Sequence, residues 1–204
     1  MPMALFDWKS GNSGPVLHGP GVILRAPRAL DYHPWADLRE ASRDYLQPWE
    51  PAWGEDDLSR AAFKRRLSIY DREMELGTAY PFFVIDEATG ALTGAITLSN
   101  IRRGVAETGT LGYWIGRPYA GEGRGTAAVE TLLDFAFDNL MLHRVEAACV
   151  PHNHASKRVL EKAGFRHEGT AKAYLKINGV WADHLLFAVL ESDLGGRGLP
   201  ESTL

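Results

Sequence analysis

The run Ala120-Gly121-Glu122-Gly123-Arg124-Gly125-Thr126 sits between two segments of different periodicity. Before it, Thr110-Leu111-Gly112-Tyr113-Trp114-Ile115 reads as a strand. After it, Val129, Leu132, Leu133, Ala136, Phe137 and Leu140 recur at helical spacing. A chain that leaves a strand, crosses three alternating glycines and enters a helix with one apolar face has few architectures open to it. The helix must bury that face against a sheet, which pins its first turn at the end of the strand. Glycine leaves the backbone N–H groups bare. The helix adds its own orphan donors and the positive end of its dipole. The junction therefore predicts a site for a phosphate or pyrophosphate.

Spacing excludes two common owners of such a site. A P-loop requires Lys-Ser or Lys-Thr after the last glycine, but Gly125 is followed by Thr126-Ala127. A dinucleotide fold requires G-x-G-x-x-G and an acidic residue at the end of the next strand, which here ends at Pro151-His152. An ordinary glycine turn remains open on the first junction alone. A second junction argues against it. Pro151-His152-Asn153-His154-Ala155-Ser156 also ends a strand, Val145 to Val150, and starts a helix that stops at Gly164. Two such junctions in tandem describe a ligand held across the ends of neighbouring strands.

The rest of the chain reads as one domain over residues 16–194, between a flexible 1–15 segment and a disordered 195–204 tail. Val22-Ile23-Leu24 is a first strand, and Asp31 is placed to cap a helix reaching about Ser42. Two prolines make Gln47-Pro48-Trp49-Glu50-Pro51-Ala52-Trp53 a stiff loop rather than a regular element. Asp57 or Ser59 caps a helix to about Leu76, with Ala62, Leu67 and Tyr70 expected toward the core. Phe82 to Ile85 and Leu92 to Leu98 are strands of a hairpin, and a third runs from Thr108 to Ile115. Asn178-Gly179 joins Tyr174-Leu175-Lys176-Ile177 to a last strand, Ala182 to Val189. This order predicts an α/β mixed sheet flanked by helices.

A net charge of -4 argues against tight non-specific nucleic-acid binding. One cysteine, Cys149, rules out an internal disulfide, fits a reducing compartment and alternates as a small core residue. No signal peptide or membrane-length apolar run is apparent, so a cytoplasmic enzyme without a membrane partner is expected. His152 and His154 lack a third ligand and make a poor metal site. His184 falls in a strand pattern and reads as structural.

The G-x-G-x-G loop, Asn153-x-x-Ser156 and Leu160-Glu161-Lys162-Ala163-Gly164-Phe165 together resemble the acetyl-CoA half of the GNAT family of N-acetyltransferases. Ala120 departs from the Gln or Arg that opens many such loops. Leu46 to Pro51, Leu111-Gly112-Tyr113, His143-Arg144, Pro151-His152-Asn153 and Tyr174 to Gly179 are similar to one branch of the family. That branch acetylates the N-terminal alanine of a small-subunit ribosomal protein. The resemblance spans roughly Val16 to Leu190.

The resemblance implies a mostly antiparallel sheet and assigns roles. Gly121, Glu122, Gly123, Arg124, Gly125 and Thr126 would bind the pyrophosphate through backbone amides. Tyr113, Trp114 and Ile115 would lie where their strand splays from the next, with pantetheine in the gap. Ser156 would donate to the departing sulfur. Asn153 either caps its helix or also holds pantetheine or water. Glu50 is the candidate to receive or orient the amine, or else a surface carboxylate in a turn. Trp49, Trp53 and Tyr174 wall the acceptor cleft or simply pack. At neutral pH on the order of a tenth of α-amines are neutral, a penalty of ~1.4 kcal/mol, against ~4–5 kcal/mol for a lysine side chain. A weak base therefore suffices for an α-amine. Lys64-Arg65-Arg66, with Arg102-Arg103, reads either as a contact for ribosomal RNA or as a solvated face. A small-molecule amine as acceptor, and a CoA-binding module without turnover, stay open beside the peptide N-terminus. The oligomeric state is not legible.

Overall fold

The computed structural model describes residues 14–194. The expected flexible and disordered ends, apart from residues 14 and 15, lie outside the described residues. In chain order the elements are β1 (Val16–Gly19), β2 (Val22–Arg25), α1 (Tyr32–Ala41), α2 (Arg43–Leu46), α3 (Arg60–Leu76), β3 (Tyr80–Asp86), β4 (Leu92–Arg102), β5 (Thr108–Ile115), α4 (Arg124–Asp134), β6 (Arg144–Cys149), α5 (His154–Lys162), β7 (Arg166–Ile177) and β8 (Val180–Leu190). The strands form an eight-stranded sheet in the order β1-β2-β3-β4-β5-β6-β8-β7. Every pair is antiparallel except β5–β6. This is the mixed sheet the element order predicts.

The sheet is covered on both faces. On one, α4 buries Val129 and Leu132, and the π-helical turn that continues it buries Ala136, against Val84, Ile96 and Leu98, and α5 adds Leu160. On the other, Trp35 and Leu38 of α1 and Phe63 of α3 pack on Phe83, Ile85 and Leu92. No described helix is long and apolar enough to cross a membrane.

Three local expectations are corrected. Asp31 stands at the N-cap position of α1 but makes no side-chain cap bond; Arg25 takes its carboxylate in a two-bond ion pair at 2.7 and 2.6 Å. Of the two cap candidates for α3 it is Ser59 that caps, as one of the alternatives had it, its hydroxyl accepting from Ala62 N–H at 3.1 Å. The core face of α3 is Phe63 and Met74, whereas the expected Ala62, Leu67 and Tyr70 are half-buried. The helix is turned so that the Phe63 ring meets Trp35 at 4.9 Å and Phe83 at 6.4 Å. Arg102 ends β4 rather than lying in a loop.

Two strands exceed the sequence reading. β1 is too short to announce itself, and the first half of β7 is an edge strand of mostly exposed residues without apolar alternation. Leu132 sits wholly buried where α4 meets the sheet. Leu132→Ala should cost about 2–5 kcal/mol, read as a lower urea midpoint with an unchanged slope.

Candidate active site

The site begins where two strands part. The parallel register of β5 and β6 runs from Thr108↔Arg144 to Leu111↔Ala147 and stops. Beyond that point β5 stays with β4, as far as Ile115↔Gly94. β6 stays with β8, as far as Cys149↔Leu185. Gly112–Ile115 and Ala148–Cys149 thus turn backbone edges toward each other without pairing. An open wedge in the middle of a sheet can take an extended polar chain as an added strand. Gly112 is exposed although its strand is central, and a Cβ there would meet nothing within 4 Å.

At the end of β5 the chain turns through Arg117–Tyr119, and Arg117 N–H donates to the buried Ser42 hydroxyl at 3.0 Å. Gly121 and Gly123 follow with φ of 82° and 84°. Open space surrounds both, so the left-handed backbone, rather than crowding, calls for glycine there. Gly123 is the N-cap of α4 and brings no side chain to it. The first cap bond runs from Ala127 N–H to Gly123 O at 3.0 Å. The N–H groups of Arg124, Gly125 and Thr126 precede it and form the donor set of an anion cradle.

The Arg124 side chain is committed elsewhere. It donates to Asp86 through Nε at 3.0 Å and Nη2 at 2.7 Å, pairs with Glu122, and lies over the Tyr119 ring. Asp86 also accepts from the hydroxyl and N–H of Thr89 at 2.7 and 2.9 Å. The Thr89 hydroxyl first, then Arg124, holds the Asp86 carboxyl down at about 2. This cluster clamps the first turn of α4 to the end of β3.

Two hydroxyls meet in the wedge. Tyr113 Oη lies 3.0 Å from Ser156 Oγ and donates toward the Ser156 carbonyl at 3.2 Å. Burial pushes the Tyr113 phenol above its ordinary value, so it stays protonated at neutral pH. Burial also raises the Cys149 thiol, against an opposing hydrogen bond from Ser156. Asn153 Oδ1 accepts Ser156 N–H at 3.0 Å, a true cap that fixes the serine on the first turn of α5.

The opposite face of the wedge carries aromatic and charged groups. Arg39 of α1 makes a two-bond pair with Glu50 at 2.8 and 2.7 Å. Its guanidinium lies 4.0 Å from the Trp53 ring and 4.9 Å from the Trp114 ring. Trp53 Nε1 donates to Glu50 at 2.9 Å. Glu50 is therefore no free surface carboxylate: it holds the Arg39–Trp53–Trp114 stack together. Trp49 rests against the His152 ring at 5.3 Å, and Asn178 N–H donates to Glu50 O at 2.8 Å. The loop bridges from α1 to the exit of β6 and to the β7–β8 turn. Tyr174 is half exposed, with its ring 5.7 Å from His184. Of the basic run, Arg65 pairs with Asp56 at 3.1 Å and Arg66 lies over Trp35.

Sequence reasoning missed Arg39 and Asp86. The partners of Arg39 come from two other segments, the Trp49–Trp53 loop and β5, so no local pattern marks it. Asp86 opens a turn, where an acidic residue carries no special signal.

Comparison with known proteins adds to this geometry. Residues 22–166, more than half of the chain, match the Acetyltransferase (GNAT) domain family. The chain is 30% identical over 189 residues to the [Ribosomal protein uS5]-alanine N-acetyltransferase of Escherichia coli, covering 93% of this chain and 97% of that protein. It is 34% identical over 178 residues to the probable N-acetyltransferase YjcK of Bacillus subtilis, covering 87% and 98%. Among solved structures, Mycobacterium smegmatis RimJ in complex with CoA-disulfide superposes with a TM-score of 0.83 at 34% identity, covering 91% of this chain and 90% of that one. The ribosomal-protein-S5-alanine acetyltransferase of Vibrio fischeri gives 0.81 at 32% identity, covering 88% and 98%.

The Asp86 clamp carries a pH signature. A carboxylate lowered on folding contributes stability fully above its unfolded value, near ~3.9, and loses it as pH falls through about 2. Urea unfolding of wild type and Asp86→Asn should differ by a constant amount from neutral pH down to about 4. The gap should close as pH approaches about 2.

Proposed function

The chain belongs to the GNAT acetyltransferase family, and from that premise we propose that it moves the acetyl group of acetyl-CoA to the α-amine of a protein N-terminal alanine, with a ribosomal protein as substrate. The observation that carries this reading is the parted pair β5–β6, with donor N–H groups at one end and the Ser156–Tyr113 hydroxyls inside. Two relatives, at 30% and 32% identity, are named as alanine acetyltransferases of a ribosomal protein, which supports the acceptor.

In this reading the N–H groups of Gly121 to Thr126 hold the pyrophosphate. The edges of Gly112–Ile115 and Ala148–Cys149 hold the pantetheine amides, and Asn153 keeps Ser156 in register. The amine nitrogen attacks the thioester carbon, the C–S bond breaks, and the sulfur leaves as thiolate. Ser156 Oγ–H donates to that sulfur. Tyr113, kept protonated by burial, turns its one hydrogen from the Ser156 carbonyl to Ser156 Oγ, so the developing charge meets a two-hydroxyl relay. The Trp49–Glu50 loop and Trp53 form the acceptor wall, with Glu50 and Arg39 setting the indole positions rather than taking the proton. Tyr174 closes the far side.

Thiol release from acetyl-CoA tests the acceptor. Peptides with a free N-terminal alanine should turn over, and the same peptides with a blocked N-terminus and an internal lysine should not. Turnover only with small-molecule amines, or none across a broad amine panel, would overturn the peptide reading. Ser156→Ala should lower kcat by about 10²-fold with acetyl-CoA affinity unchanged. Full rate in that variant would remove Ser156 from the chemistry.

A further inference from the structure

We propose that His184 is the group that takes the proton from the acceptor amine. The inference rests on the acetyl-transfer reading above and adds the base it lacks.

Strand parity places His184 in the wedge. Leu111↔Ala147 and Ala147↔Phe187 put those three residues on one face, and alternation carries the same face to Tyr113, Cys149 and Leu185. That face meets α4 and α5. Gly112, Trp114, Ala148, Leu186 and His184 fall on the other face, the one Arg39 and the Trp49–Trp53 loop cover. β6 ends opposite Leu185, so His184 stands one residue beyond it, at the mouth of the gap. Trp114 and His184 thus flank the opening from opposite sides, with the open space over Gly112 between them.

The histidine is set up to accept a proton. It is only 3% exposed, and its Nδ1 lies 2.9 Å from Ala182 O. A carbonyl only accepts, so Nδ1 carries the hydrogen and the lone pair is on Nε2. Nε2 is the distal ring atom, standing off the sheet on the acceptor side. The fold spends a bulge on this spot. The β7–β8 register shifts between Ala171 and Leu175, and Ala173 takes a φ of 46°. Asp183 Oδ1 holds that residue's N–H at 2.8 Å. The shift turns the Tyr174 ring onto His184. Other titratable or charged groups on this side include His152, at Trp49, the Arg39–Glu50 pair, whose carboxylate oxygens are already engaged, and Arg43, which lies over Trp53 and pairs with Glu40.

The step balances simply. As the amine nitrogen bonds to the thioester carbon, its proton passes to Nε2 and the imidazole becomes a cation. The thiolate leaves toward Ser156, and the imidazolium returns its proton to solvent as products leave.

The test compares wild type with His184→Gln and His184→Asn across pH, on the amine that wild type acetylates fastest in the panel above. Wild-type turnover of the alanine peptide judges the peptide reading, and the wild-type-to-variant ratio judges His184, so the two failures are distinct. Each variant should lose about 10- to 100-fold in kcat/KM near neutral pH with acetyl-CoA affinity unchanged. The ratio should shrink as pH rises past the amine's own pKa of ~8. Wild-type rates, or the same loss at every pH, would overturn the proposal. Should thermal melting show both variants unfolded, nitrogen-15 NMR of wild-type enzyme with CoA decides. The Nε2 resonance of His184 should shift on adding that same fastest amine and not its N-blocked form; an unmoved resonance overturns the proposal.

Discussion

The register break after Leu111↔Ala147 governs the rest of the molecule. A sheet that stops pairing in its middle leaves backbone donors and acceptors without partners, a serious cost in a buried setting. Here the open edges become the binding surface. The break persists because each strand is held from its outer side, β5 by β4 and β6 by β8. Above it, Tyr113 reaches α5 and keeps the wedge from closing or widening. The α4 clamp through Arg124 and Asp86 fixes the anion cradle against the outer sheet. Each device sits on a different element, and all of them converge on one gap.

Much of this was legible in the sequence. The helical spacing of Val129, Leu132, Leu133 and Ala136 located α4 and thereby the cradle, because an amphipathic face determines which way a helix start points. Asn153 and Ser156 could be read as a cap, and the cap is present. The wedge itself could not be read, since periodicity reports which face a residue occupies and not which strand lies beside it. Its place rested on family resemblance alone. Glu50 illustrates the opposite limit. Its loop marks it as rigid and prominent, but the local sequence cannot show that Arg39 of α1, eleven residues earlier, takes both of its oxygens. His184 was passed over for a related reason: within β8 it merely alternates. Its position at the mouth of the gap emerges only when the registers of β5, β6 and β8 are counted together.

The two faces of the sheet divide the chemistry. Toward α4 and α5 the wedge offers hydroxyls and a buried thiol, all neutral, which suits a thioester sulfur that becomes negative only as it leaves. A fixed positive charge there would hold the thiolate product as strongly as the transition state. Toward α1 and the tryptophan loop it offers indoles, a neutralised ion pair and a neutral imidazole. An incoming ammonium meets no net positive charge on that side, since Arg39 is matched by Glu50.

That matching also explains why Glu50 serves better as a brace than as a base. Taking the proton there would break the two-bond pair with Arg39 and leave the guanidinium uncompensated between two indoles. The α-amine needs only ~1.4 kcal/mol of help at neutral pH. In the proposed reading the carboxylate holds the cleft's shape, and the proton goes to His184, whose Nε2 has no ion pair to give up.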